Sequence, residues 1–252
     1  VGEYAPSFRF CTCRTQMMAR YEEKSTARQA VWDAMEDEGV ARFPFPPHGR
    51  IPNFEGAQAA AERLFEHPPF EDADCIKVNP DAPQRFVRIE ALRRGCVVLV
   101  PTPRLRAGFK RLDPATIPDD ERKAAASLSH MDDWAEPVPL AALPPLDGIV
   151  TGSVAVTAKG RRCGKGEGFS DLEYAILQEL GHDLPPVATT VHPLQVVEAL
   201  PSDSHDLPLA TIVTPERTIE VSDPPAPPDG IAWDALSEED LAAMPVLQEL
   251  RS

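Results

Sequence analysis

The densest chemistry in this chain lies in SVAVTAKGRRCGKGEGFSDLEYAILQELG, residues 153–181. It reads as a strand, a basic turn, the run Gly164, Lys165, Gly166, Glu167 and Gly168, and then a helix. Glycines let successive backbone N–H groups point into one concavity, and the helix that follows adds free N–H groups and a positive dipole end. Arg161, Arg162 and Lys165 supply mobile cations beside it. Together these features favour a phosphate, and the competing reading is a solvated turn between strand and helix. The loop is neither a Walker A nor a Rossmann fingerprint. Gly160 to Gly164 is one residue too short for the first, and Gly166 stands where a magnesium-binding Ser or Thr belongs. The third glycine comes one residue early for the second. Asp171, in the first turn of the helix, reads either as a simple complement to the dipole or as a magnesium ligand. Asp206 is a candidate second ligand, and His205 beside it reads as a loop histidine. Lys24 and Arg28 are four apart at the start of an earlier helix and share one face, which suits a solvated basic edge or a clamp on a nucleotide. Arg104 and Arg106 lie in PTPRLR, at the carboxyl end of a wholly apolar strand, where open α/β sheets bind ligands. No HExxH, zinc spacing or Ser–His–Asp arrangement is present in the sequence.

The elements that must hold these residues alternate. Ala27, Ala30, Val31, Ala34 and Met35 recur at helical spacing, with Gly39 placed as a stop. A second helix is expected from near Glu55, a strand at ADCIKV, a helix around Phe86 to Arg94, and the apolar strand CVVLV. Asp119 to Ser129 is expected to be helical, DGIV and SVAVT are strands, and Ser170 to Leu180 is a helix. VATTV, ATIVT and TIEVS complete the strands. Strands separated by helices predict an α/β fold with a mostly parallel sheet. Residues 18–222 form that domain. Residues 223–252 are a proline-rich segment and a short helix, SEEDLAAM, with Ser237 and Asp240 at capping-box spacing, expected to pack back on the body. Residues 1–17 differ in character and read as an extension from a start assigned too far upstream.

Composition narrows the partners. The 252 residues carry 40 acidic and 25 basic side chains, a formal charge of -15. That balance repels nucleic-acid phosphates, which excludes sequence-independent DNA binding and disfavours RNA. The run Val97 to Val100 is far short of the roughly 20 apolar residues of a membrane helix. Only six of the 25 cations are lysines, a balance that suits either a salty cytosol or an ordinary acidic bias. Five cysteines, Cys11, Cys13, Cys75, Cys96 and Cys163, show no repeated spacing, so a disulfide framework is not expected and a cytoplasmic setting is.

KGRRCGKGEGFSD resembles the GxRLGxGxGYYD signature of the 5-formyltetrahydrofolate cyclo-ligases, also called methenyltetrahydrofolate synthetases. Lys24-x3-Arg28 and HPLQVVEALPSDSHD agree with it. PNFEG, VPTPRLR, GSVAV, GKGEG and DLEYA are more similar still to the methenyltetrahydrofolate synthetase domain-containing proteins. The likeness runs from about Lys24 to Trp233, and no RNA-recognition domain like that of animal members is expected in this chain. The resemblance implies a three-layer Rossmann-like α/β sandwich. It also implies ATP- and Mg2+-dependent cyclisation of 5-formyltetrahydrofolate, or a related formyl pterin, to 5,10-methenyltetrahydrofolate with release of ADP and phosphate. Carried over, Lys24 and Arg28 clamp ATP phosphates, and Arg162, Gly164, Lys165, Gly166, Glu167, Gly168, Phe169 and Ser170 form the nucleotide loop. Arg162 and Lys165 are then the catalytic cations, Asp171 and Asp206 hold Mg2+, and Phe169 stacks on the pterin. Phe169 and Ser170 stand where the family has two tyrosines, and the segment after CIKVNPDAPQ offers no evident pterin-binding glutamate. A regulatory nucleotide-binding protein without turnover, or another ATP-dependent phosphoryl transfer on a small acidic metabolite, is the alternative.

Overall fold

The structure, a computed structural model, describes residues 18–251. The 1–17 extension, with Cys11 and Cys13, lies outside the described residues. The strands are β1 (Ala41–Arg42), β2 (Asn53–Phe54), β3 (Cys75–Val78), β4 (Val97–Pro101), β5 (Phe109–Leu112), β6 (Glu136–Val138), β7 (Gly148–Thr151), β8 (Ala155–Thr157), β9 (Arg162–Cys163), β10 (Val187–Thr190), β11 (Val196–Val197), β12 (Thr211–Val213) and β13 (Thr218–Glu220). The α-helices are α1 (Lys24–Asp37), α2 (Ala57–Leu64), α3 (Gln84–Arg93), α4 (Arg122–Ala125), α5 (Phe169–Glu179), α6 (Glu238–Ala243) and α7 (Pro245–Arg251).

Eight strands form the main sheet in the order β13-β12-β10-β7-β3-β4-β5-β6. The five central strands are parallel, β13 and β5 run antiparallel to them, and β6 pairs antiparallel with β5 at the edge. Strand alternation sends side chains to opposite faces. Ile76, Val78, Val98, Val100 and Val150 pack with α1, α2 and α3 on one side. Cys75, Leu99, Ile149 and Ile212 pack with α5 and the C-terminal helices on the other. This is a three-layer α/β sandwich with a mostly parallel centre. Helix α1 shows the economy of the pattern: Ala27, Val31 and Met35, four residues apart, are fully buried. Burying a valine or methionine of this kind is worth about 1.5–3 kcal/mol.

Two expectations change. Helix over Asp119 to Ser129 shrinks to α4, because only Ala125 and Ala126 of that stretch are fully buried and Leu128 is exposed. No continuous apolar stripe is left to sustain a longer helix. SVAVT is a strand, but β8 leaves the main sheet and joins β11 and β9 in a separate three-stranded sheet. That departure swings the glycine run to the carboxyl end of the large sheet. The 223–252 segment does pack on the body: Ile231, Met244, Val246 and Leu247 are buried in the cluster that holds Leu105, Phe109 and Ile176.

Strand β3 feeds α3 and then β4 on one side, whereas β7 is followed on its other side by β10. The order therefore reverses between β3 and β7, and open sheets bind ligands outside the carboxyl ends at such a switch point.

Candidate functional site

A cavity of about 900 Å³ opens at this switch point. It is lined by the starts of α1 and α5, the glycine loop, the residues after β3 and β4, and the loop that carries Asp203 and Asp206. Gly166 (φ +109°) and Gly168 (φ +73°) take left-handed backbone that a side chain would strain, and Gly168 caps α5 without any side-chain cap. The helix therefore meets the cavity with free N–H groups, which is what an anion needs.

The structure brings the predicted cations to this loop from distant parts of the chain. The Arg28 Nε donates to the Gly164 carbonyl at 2.8 Å, and its guanidinium carbon would lie 3.5 Å from a Cβ placed on Gly166. Lys24 Nζ donates to both oxygens of Asp206 at 2.6 Å and to Asp203 at 2.7 Å. Burial alone would lower the Lys24 pKa, but the hydrogen bonds and charges of Asp203 and Asp206 outweigh it and raise the value. The Asp203 carboxyl is held below its ordinary range by the hydrogen bond and charge of Lys24. Arg162, buried on β9, donates to Asp171 Oδ1 at 2.8 Å, and its Nε has no protein partner. The half-exposed Lys165 pairs with Glu167 at 2.8 Å.

Asp171 does not cap its own helix. Its Oδ1 accepts from Arg162 and from the Leu207 N–H at 3.0 Å, which sets it beside the segment holding Asp206. The group whose ligand atoms all lie within 4.8 Å of one another is Asp203, His205 and Asp206, so His205, read as a loop residue, belongs to this carboxylate corner and Asp171 lies outside the group. Phe169 lines the cavity, and the Ser170 hydroxyl accepts from Asn79 Nδ2 at 2.8 Å.

Several residues here escape a reading of the sequence. Asp81 follows β3, and its Oδ2 would lie 2.9 Å from a Cβ on Gly152. Burial raises the Asp81 pKa, with Lys165, Arg88, Lys77 and Arg162 opposing that effect. Buried Arg88 ties this turn down through the Asn79 carbonyl at 2.5 Å and the Ala126 carbonyl at 2.9 Å. Lys77 and Glu173 form a buried ion pair between β3 and α5, and Lys77 also donates to Asn79 Oδ1 at 2.6 Å. A lysine inside CIKV and a glutamate inside DLEYAIL were the available signals, each a charge in an otherwise apolar face. Cys163 lines the same cavity, but burial pushes its thiol up, and burial pushes Cys75 and Cys96 up to about 12. None of the three is a thiolate nucleophile near neutral pH. No helix among the described residues is long and apolar enough to cross a membrane.

The fold and cavity define an open α/β protein with a glycine loop, a helix N-terminus and four basic side chains gathered at its switch point. Residues 12–215 match the 5-formyltetrahydrofolate cyclo-ligase family, and the chain belongs to that family. It is 45% identical over 236 residues to the bovine (Bos taurus) methenyltetrahydrofolate synthase domain-containing protein, covering 90% of this chain and 62% of that one. The chain thus spans less than two thirds of that relative. It is 37% identical over 75 residues to the 5-formyltetrahydrofolate cyclo-ligase of Escherichia coli K12, covering 30% and 40% of the two chains. The solved 5,10-methenyltetrahydrofolate synthetase of Aquifex aeolicus superposes with a TM-score of 0.51 at 18% identity, over 81% of this chain and 95% of that one, and supports the shared fold.

Proposed function

We propose that this chain is an ATP- and Mg2+-dependent cyclo-ligase that converts 5-formyltetrahydrofolate, or a closely related formyl pterin, to the 5,10-methenyl form with release of ADP and phosphate. One observation carries the reading: Lys24, Arg28, Arg162 and Lys165 converge on a glycine loop at a free helix N-terminus, inside a cavity that also holds Asp81. The four cations, the glycine loop and the helix N-terminus are those of a polyphosphate site. Asp81 is a half-buried acid with oxygen acceptors for an amino-substituted heterocycle.

In this reading the formyl oxygen attacks the γ-phosphorus, ADP leaves, and the imidate phosphate formed is then displaced when N10 closes the ring. No protein nucleophile is required, so positioning and charge neutralisation do the work. Gly164, Gly166 and Gly168 present backbone to the phosphates, and Lys165 and Arg28 neutralise them. Glu167 keeps Lys165 over the loop until the nucleotide arrives, and Phe169 offers a ring face to the pterin. The phosphate end matches each of its cations with a neighbouring carboxylate or carbonyl. A nucleotide arriving with a divalent cation suits that balance. Asp206, with Asp171 beside it, would hold the ion, and the ion would supply charge neutralisation on the phosphate oxygens. A soluble cytoplasmic enzyme on a small reduced folate is the setting we infer.

Ser170, hydrogen bonded to Asn79 where the family resemblance leads one to expect a tyrosine, favours the second reading: the same nucleotide site serving a different acceptor, or binding without turnover. Purified protein given 5-formyltetrahydrofolate and Mg-ATP in high potassium chloride separates the two. Growth of the methenyl absorbance in step with ADP release supports the cyclo-ligase. Bound ATP with no methenyl product overturns it.

A further inference from the structure

One face of β3 carries charge into the interior of the protein. Lys77 and Asn79 are two apart and point to the side packed by α5, whereas Ile76 and Val78 fill the opposite core. Ser170 and Glu173 are three apart on α5 and share the helix face that meets them. Lys77 Nζ donates to Glu173 Oε2 and, at 2.6 Å, to Asn79 Oδ1, and Asn79 Nδ2 donates to Ser170 Oγ at 2.8 Å. Four side chains thus close a ring between strand and helix. Lys77, Asn79 and Glu173 are buried, and Ser170 is half-buried. Asn79, Ser170 and Glu173 line the large cavity, backed by Lys77.

Each polarity in the ring is forced. An ammonium only donates, so the Asn79 atom that faces Lys77 is the oxygen, and the amide nitrogen must face Ser170. Ser170 Oγ therefore accepts, and its own proton is left to donate elsewhere. Among the described residues no protein group takes that proton. Asn79 cannot turn to relieve the pattern. Its backbone N–H donates to the Val150 carbonyl at 3.0 Å, and its own carbonyl accepts from Arg88 at 2.5 Å. Stability does not account for the ion pair, because apolar side chains of similar volume often serve a core as well or better.

We propose that Lys77 and Glu173 are positioning residues: acting through Asn79, they fix Ser170 as a hydrogen-bond donor to an oxygen acceptor of the bound ligand. At the first turn of α5 that acceptor is either a phosphoryl oxygen of the nucleotide or a carbonyl-type oxygen of the second substrate. Both lack a proton, and both suit the same O–H. The proposal rests on the reading above for its two ligands and deepens it. A hydroxyl held in this way selects by chemistry, because a ligand that presents an N–H or a methyl group at the same point leaves the ring unsatisfied.

Calorimetry with 5-formyltetrahydrofolate alone, and with the magnesium complex of a non-hydrolysable ATP analogue alone, tells the two acceptors apart. S170A should lose about tenfold in affinity for one of them, and S170T, which keeps the hydroxyl, should recover most of the loss. N79D offers an oxygen to Ser170, so the hydroxyl turns to donate inward and the same affinity falls. The donor is then already lost, and adding S170A to N79D should cost nothing more. K77M/E173L keeps the net charge and the approximate volume. It should match wild type in urea unfolding and still lose about fivefold in the same titration. No loss for S170A with either ligand overturns the proposal. So does an equal S170A loss in the wild-type and N79D backgrounds, or wild-type affinity for both ligands in K77M/E173L. Where that double variant fails to fold, the S170A and N79D cycle decides. If 5-formyltetrahydrofolate does not bind wild type, the folate reading falls, and the same cycle read with the ATP analogue supports or overturns the positioning role by itself.

Discussion

The two ends of the cavity handle charge in opposite ways. At the glycine-loop end Lys24 is matched to Asp203 and Asp206, Arg162 to Asp171 and Lys165 to Glu167, while Arg28 is bonded to the loop backbone. Beside the ends of β3 and β4, Arg85 and Arg104 have no carboxylate partner among the described residues, and Arg104 takes left-handed backbone. Paired cations are already oriented, and the buried pair of Arg162 and Asp171 is tied into the fold. Unpaired cations contribute little to the fold and leave their full charge for a ligand. The comparison shows that paired and unpaired charges line one cavity.

The strongest way to break that division is to strike a pair at the inner end. Asp171→Ala leaves Arg162 buried without its carboxylate and should cost about 3–5 kcal/mol of stability in urea unfolding. Asp171→Asn keeps an oxygen for Leu207 N–H and Arg162, so it should stay folded at the cost of nucleotide affinity. A loss below about 1 kcal/mol for Asp171→Ala would show that the pair is dispensable to the fold. Lys165→Ala comes next. Its pair with Glu167 is half-exposed, so the melting temperature should hardly move while Mg-ATP affinity by calorimetry falls about 30-fold. Unchanged affinity would remove Lys165 from the phosphate site.

Arg104→Gly sharpens the contrast from the other end. It should stabilise the protein by about 0.5–1 kcal/mol, because glycine takes the left-handed conformation freely. Destabilisation in the same unfolding measurement would mean that the arginine serves the fold. The smallest effect concerns pH. The lowered pKa of Asp203 means that its stabilisation is present above the unfolded carboxylate value, near 4, and is lost as pH falls through the lower folded value. The raised pKa of Lys24 keeps its share in place until pH rises through the raised ammonium value. Stability from this corner should therefore be flat across the neutral range. Asp203→Asn should trim only the acid limb of a stability–pH curve, and an altered slope near neutrality would contradict the assignment.

How much of this was readable beforehand follows from the range of each signal. Helix α1, strand β4 and helix α5 carry their apolar period within a few residues, so the sequence reveals them and the three-layer class they imply. Strands β5 and β6 are short edges with exposed positions, and only their hydrogen bonds to β4 and to each other define them. The glycine loop announces itself for the same local reason as α1. Its partners do not: Lys24 meets Asp206 across 182 positions, and Lys77 meets Glu173 across 96. Asp81 is hidden in another way, since only the close approach of Gly152 and the surrounding cations distinguish it from a surface carboxylate.

The turn that carries Arg104 is held from behind by the far end of the chain. Leu105 shares its apolar cluster with Val246 and Leu247 of α7, and a Cβ on Gly108 would lie 3.7 Å from Val246. The last helix is therefore a keystone for the cavity mouth. Loosening it would free the backbone of the 102–108 turn while the glycine-loop end of the cavity keeps its shape, so this wall of the cavity is set by a helix from a distant part of the sequence.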